Sequence, residues 1–118
     1  MTTEELEQLW KPEIDQHLSK IQNMKQDFSD VEIIIHNASW CPDCVRETSE
    51  LLAIKQSLQD KAPQITLISY EDKDYYMSNK AELDINCVPT IIAKRNGQEY
   101  ARIEENSNGK LLEQLSRY

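Results

Sequence analysis

A run rich in β-branched residues, Val31-Glu32-Ile33-Ile34-Ile35-His36, leads through Asn37-Ala38-Ser39 into Trp40-Cys41-Pro42-Asp43-Cys44. An amphipathic run follows, from Pro42 to about Lys61, and then a second β-branched run, Gln64-Ile65-Thr66-Leu67-Ile68-Ser69-Tyr70. The first and last segments read as strands and the middle one as a helix. Strand, helix and strand in that order imply a right-handed parallel βαβ unit. The cysteine pair therefore falls at a strand-to-helix junction, where chemistry tends to sit in α/β folds. A cysteine in the first turn of a helix faces the positive end of the dipole and unpaired backbone N–H groups. Both favour the thiolate, the form that attacks disulfides.

Composition narrows the alternatives. The 118 residues are 39% hydrophobic and 29% charged, an ordinary globular balance for one domain. That domain is expected to span 1–118, with an N-terminal helical segment over 1–30 and a core over 31–118. The net charge of −8 offers no Lys/Arg cluster to neutralise phosphates, so nucleic acid is not an expected partner. No apolar run approaches the roughly 20 residues of a membrane span. The acidic start Met1-Thr2-Thr3-Glu4-Glu5-Leu6 does not read as a secretory signal. Zinc requires four ligands; the chain has no second Cys-x-x-Cys, and Cys87, His17 and His36 are scattered, so no metal is expected.

Thr3 with Glu4 and Glu5 starts a first helix, whose apolar stripe is Leu6, Leu9 and Trp10. Pro12 marks a kink or a new start. Ile14, Leu18, Ile21, Met24 and Phe28 then recur at spacings of four, three, three and four, a helical stripe expected to cover the sheet. Leu51, Leu52, Leu58 and, in part, Ile54 and the Lys55 stem form the core face of the central helix, which Ala62-Pro63 ends. A short helix is expected near Tyr75–Leu83. Thr90–Arg95 reads as a third strand, Asn96-Gly97 as a two-residue hairpin turn and Gln98–Glu104 as the returning strand. Asn108-Gly109 precedes a last helix, Lys110–Ser116, with Leu111, Leu112 and Leu115 inward. The expected class is α/β: a central mixed four-stranded sheet, a parallel βαβ plus an antiparallel hairpin, with helices on both faces.

With this order the chain resembles the thioredoxin superfamily. Trp40-Cys41-Pro42-Asp43-Cys44 after the first strand, Val88-Pro89-Thr90 opening the third, and the Lys94–Gln98 hairpin before a final helix carry the match. Within the superfamily the motif is similar to that of small thioredoxin-related proteins with Trp-Cys-Pro-Asp-Cys. Ordinary thioredoxins have Gly-Pro between the cysteines. The Gly-Gly of glutaredoxins is missing, which argues against glutathione binding. Two positions depart from thioredoxins: Ile35 replaces a buried Asp six residues before Cys41, and Glu105 replaces a Gly eight residues after Gly97.

The resemblance implies a thioredoxin fold with Cys41 as nucleophile and Cys44, one helical turn on, as resolving thiol. Pro42 sits in the first turn, where its missing N–H costs nothing. Asp43 suits the helix dipole but also opposes a thiolate on Cys41. Trp40 is either an apolar platform beside the site or core filler. Pro89 is implied to be cis, holding Val88 beside Cys41 so that its backbone can pair with a substrate strand. Cys87 is either a regulatory or intermolecular thiol or a small unpaired side chain. His36 is expected half-buried, with a proton shuttle for Cys44 as the alternative; His17 is expected to meet solvent.

Read together, these residues imply a cytoplasmic thiol–disulfide oxidoreductase that reduces protein or small-molecule disulfides by dithiol exchange. It needs no bound cofactor and takes electrons from a separate reductase. A monomer is expected, with a Cys87-linked dimer as the alternative. The rival reading is a non-catalytic thioredoxin-fold redox sensor or binding module. An isomerase or oxidant would need an oxidising compartment.

Overall fold

In the computed structural model, which describes residues 2–21, 26–83, 85–107 and 110–116, the β-branched run forms β1 (Val31–Asn37) at the centre of the sheet. The helix after the cysteine motif is α3 (Pro42–Leu58), continued by a 3-10 turn over Gln59–Lys61. It returns the chain to β2 (Gln64–Ser69), parallel to β1, with Ile35 opposite Leu67 and His36 opposite Ile68. β3 (Thr90–Arg95) and β4 (Gln98–Glu104) form the hairpin, and β3 pairs antiparallel with β1. The strand order is β2-β1-β3-β4, a mixed four-stranded sheet flanked by helices. Asn96 and Gly97 both take positive φ, 55° and 77°, as a two-residue turn between twisted strands requires.

The main core lies on one face of the sheet. Ile33, Ile35, Ile91, Ala93 and Ile103 pack there against Leu51, Ile54 and Leu58 of α3 and Leu111 and Leu115 of α5 (Leu111–Leu115). Tyr100 fixes α5 by donating its hydroxyl to the Leu115 carbonyl at 2.9 Å. The last helix is one residue shorter at each end than its leucine spacing indicates, and Leu112 is only partly buried. Asn108 and Gly109 lie outside the described residues.

The N-terminal segment forms two helices, α1 (Thr3–Leu9) and α2 (Lys11–Lys20), and Pro12 sits in the first turn of the second. Thr2 and Glu5 close a capping box on α1. Of the stripe expected to cover the sheet, Ile14 and Leu18 pack instead on α3, where with Leu6 and Trp10 they meet Leu52, Ala53 and, from the sheet, Leu67, while Ile21 and Phe28 do reach the main core over the sheet. α3 is therefore buried on two sides. The helical stripe also stops earlier than its spacing predicts. Ile21 is an extended C-cap, Met24 lies outside the described residues, and Phe28 enters the core from coil with its N–H on the Lys61 carbonyl at 2.9 Å. His17, expected in solvent, is half-buried beside Glu50 of α3. The short helix, α4 (Lys73–Asn79), begins two residues before Tyr75 because the Asp72 side chain caps it by accepting the Tyr75 N–H at 3.1 Å; a 3-10 turn over Lys80–Glu82 follows.

Candidate functional site

The end of β1, the start of α3, the helix α4 and the turn before β3 meet around the cysteine motif. Ala38, Cys44, Tyr76, Ile85 and Val88 form a buried cluster there, with Trp40, Cys41, Tyr70 and Leu83 packed against it. Cys41 is the N-cap of α3 and Pro42 occupies its first turn. That placement follows from Pro42, whose fixed φ and missing N–H suit the first helical position. Cys41 and Cys44 lie 3.3 Å apart, and all three cysteines are free thiols.

The two thiols differ in environment. Cys41 is half-exposed, and its Sγ donates to the Val88 carbonyl at 3.7 Å. Cys44 is fully buried and accepts the Ala38 N–H at 3.4 Å. Burial pushes the Cys44 thiol far up; the hydrogen bond and charge of Cys41 and the charge of Asp43 add to this, while the Ala38 N–H opposes it. Asp43 itself is held by Arg46, whose Nη2 donates to Oδ1 at 2.9 Å on the exposed side of the helix. Asn37, at the end of β1, is tied to α3 by the Thr48 hydroxyl, which donates to Oδ1 at 2.6 Å; both residues are buried. This clamp lies one turn beyond Cys44 and holds the strand whose next residue supplies the Ala38 donor.

Val88 is buried, its peptide bond to Pro89 is cis, and its carbonyl faces Cys41. Thr90 is fully buried and donates its hydroxyl to the Cys87 carbonyl at 2.7 Å, closing the turn. Cys87 is half-exposed at the rim. Burial pushes its thiol up, the Thr90 side chain opposes that, and the charges of Glu105 and Glu104 add to it. Glu105 stands at a positive φ of 64°, its N–H on the Pro89 carbonyl at 2.9 Å.

Trp40 both flanks the site and packs. Its Nε1 donates to the Tyr70 carbonyl at 2.8 Å, its ring lies 5.5 Å from that of Tyr76, and the Lys73 ammonium lies 5.5 Å from its centroid. His36 is half-buried but pairs with Tyr70 rather than with a thiol: the rings stack at 5.9 Å and Nδ1 meets the phenol oxygen at 2.9 Å. Burial, and next the charge of Arg102, shift this imidazole down. Tyr70 and Tyr76 were not singled out from the sequence. An aromatic pair on a short helix, Tyr75-Tyr76, gives the only signal, and the burial of Tyr76 becomes visible once α4 is placed against the cysteine motif.

A groove of about 780 Å³ between α4 and β4 is lined by Met77, Ile85, Asn86, Arg102 and neighbours but by none of the cysteines. That groove is separate from the thiols, of which Cys41 is half-exposed and Cys44 buried. Among the described residues no group of three or more His, Cys, Asp or Glu side chains is placed to hold a metal ion. None of the described helices is long and apolar enough to cross a membrane.

Solved structures share this fold. A thioredoxin-like protein from Edwardsiella tarda is 19% identical, with 83% of this chain and 84% of that one covered at a TM-score of 0.51. A thioredoxin from Fasciola hepatica is 17% identical, with 88% and 89% covered at a TM-score of 0.52. Thioredoxin-2 of a malaria parasite is 23% identical, with 81% and 87% covered at a TM-score of 0.51. No curated protein matches the chain in sequence. The family model Thioredoxin matches residues 11–117, almost the whole chain, and with the paired cysteines at the head of α3 it shows that this chain belongs to the thioredoxin family.

Proposed function

We propose that this chain is a cytoplasmic dithiol–disulfide oxidoreductase that reduces disulfides in proteins or small molecules. Membership of the thioredoxin family supports thiol–disulfide redox chemistry. The observation that carries the finer reading is the asymmetry of the pair: a half-exposed Cys41 at the N-cap of α3, 3.3 Å from a fully buried Cys44. Only the outer sulfur is open to a substrate disulfide, and only the inner one is held in reserve beside it.

In this mechanism the Cys41 thiolate attacks one substrate sulfur. A Cys41–substrate bond forms, the substrate disulfide breaks and the other substrate sulfur leaves as thiolate. Cys44 then loses its proton and attacks Cys41 Sγ, so that the Cys41–Cys44 bond forms and the second substrate thiolate leaves. Two electrons and two protons from a separate reductase restore the dithiol. Val88, with its carbonyl beside Cys41, and the Trp40 ring border the entering strand, while Pro89 and Thr90 hold that turn in place.

The test is turnover of a model protein disulfide with dithiothreitol as the electron source, in a Cys87→Ser background. The wild-type pair is expected to turn over and Cys41→Ser to abolish turnover. Turnover that survives Cys41→Ser refutes the mechanism. Oxidation of the pair without turnover points to a redox sensor or binding module instead.

A further inference from the structure

Tyr76 of α4 is 2% exposed, and its ring is held between Trp40 and Tyr70, each 5.5 Å away. It shares one buried cluster with Ala38, Cys44 and Val88, against which Cys41 packs. Its hydroxyl is buried too, yet has no hydrogen-bond partner among the described residues. A buried hydroxyl without a partner bears the full cost of its desolvation, so its retention calls for an explanation. Phenylalanine would fill the same space without that cost.

The second exchange step supplies one. In the resting dithiol Cys44 is satisfied by the Ala38 N–H and by Cys41 at 3.3 Å. Once Cys41 is bonded to a substrate sulfur it carries no S–H and can donate nothing to Cys44. Cys44 must then become a thiolate inside an apolar cluster with one backbone donor left, and a buried charge there is costly without hydrogen bonds. We propose that the Tyr76 hydroxyl is the second donor, hydrogen-bonding the Cys44 thiolate at the resolving step. The inference rests on the roles given to Cys41 and Cys44 above.

Tyr76 keeps its own proton throughout. The Cys44 proton goes to a solvent base, the Cys44–Cys41 bond forms, the Cys41–substrate bond breaks and the substrate sulfur leaves as thiolate. Burial, and then the charges of Cys87, Cys44 and Cys41, push the phenol up, which keeps it a neutral donor. The ring contacts with Trp40 and Tyr70 keep the phenol in the same cluster as Cys44, and its hydroxyl, unbonded among the described residues in the resting dithiol, closes on the sulfur when the charge appears.

The experiment is a single-turnover reaction with an aryl disulfide that releases one coloured thiolate in each step, in the Cys87→Ser background. Tyr76→Phe is expected to leave the first release within about twofold and to slow the second about tenfold, the loss expected for one hydrogen bond to a charged sulfur. A second measurement titrates Cys44 by thiolate absorbance with Cys41→Ala, where no second thiol titrates beside it. There Tyr76→Phe is expected to move the Cys44 midpoint up. Equal rates in both steps with an unmoved midpoint overturn the proposal and make Tyr76 a packing residue; so does equal slowing of both steps. Because this assay needs neither a reductase nor a physiological substrate, failure here leaves the oxidoreductase reading standing. Failure of wild-type turnover on protein disulfides, with two clean releases here, sinks only that reading.

Discussion

Glu50→Gln is predicted to stabilise the protein at neutral pH and to lose that effect in acid. The Glu50 side chain is 15% exposed on α3, and Oε1 lies 4.0 Å from His17 Nδ1, at the limit of an ion pair. Oε2 is buried without a partner among the described residues. Burial, and then the charge of Glu47, push the Glu50 carboxyl up; the Leu111 backbone N–H and the charges of Arg46 and Lys20 offset part of this. His17 is shifted down, chiefly by burial, so both members of the contact favour their neutral forms and the pair is not held as ions. A carboxyl whose folded value is raised contributes stability below its unfolded value, and that contribution is lost as pH rises through the folded value. Wherever the carboxyl is ionised, the fold holds a charge that burial opposes. Replacing it with an amide is expected to gain about 1 kcal/mol, the lower end of the cost of an unsatisfied buried group. In a chain of this size that is roughly 4 °C in Tm. Thermal unfolding at pH 7 and near pH 4 reads both arms. A destabilised variant at pH 7, or an equal gain at both values, contradicts the burial argument.

Thr48→Val leaves the buried Asn37 carbonyl oxygen without the Thr48 hydroxyl, beside an Nδ2 that has no partner among the described residues; a loss of about 1–3 kcal/mol is expected in chemical denaturation. Glu105→Gly relieves a left-handed residue at φ 64°, and after the entropic cost of glycine a gain of about 0.5 kcal/mol is expected in the same assay; a loss would show that the Glu105 side chain stabilises the loop. Cys44→Ser is expected to retain the first exchange with Cys41 and to accumulate the mixed disulfide, detectable by intact mass under non-reducing conditions. Release of product at the wild-type rate from that variant would remove Cys44 from the mechanism.

Local chemistry accounts for what the sequence revealed. β1, β2 and β3 run as their β-branched residues indicate and β4 follows the Asn96-Gly97 turn, since strand propensity and turn residues act over a few neighbours. Pro42 and the cysteine spacing place both sulfurs without knowledge of the rest of the fold. What stayed hidden depends on partners distant in the chain. Glu47, Thr48 and Ser49 lie outside the core face that the leucines of α3 mark, yet all three are buried, because α1 and α2 stack on a helix that also covers the sheet. Glu47 lies in that interior with the Ser107 hydroxyl on Oε1 at 2.5 Å and Arg46 Nε on Oε2 at 3.1 Å, a pairing across sixty residues that no spacing rule foresees. Phe28 continues a helical stripe in sequence but packs from coil, since its backbone N–H bonds to Lys61 in the 3-10 turn after α3. Tyr76 gained its meaning only when α4 was set against Cys44.

The most direct test of the account is the reduction potential of the Cys41–Cys44 pair in the Cys87→Ser background, measured by equilibrium with glutathione. A reductant of cytoplasmic disulfides is predicted to lie near or below about −240 mV. A value near −180 mV or above would contradict the direction of electron flow proposed here and leave the pair an oxidant, isomerase or sensor.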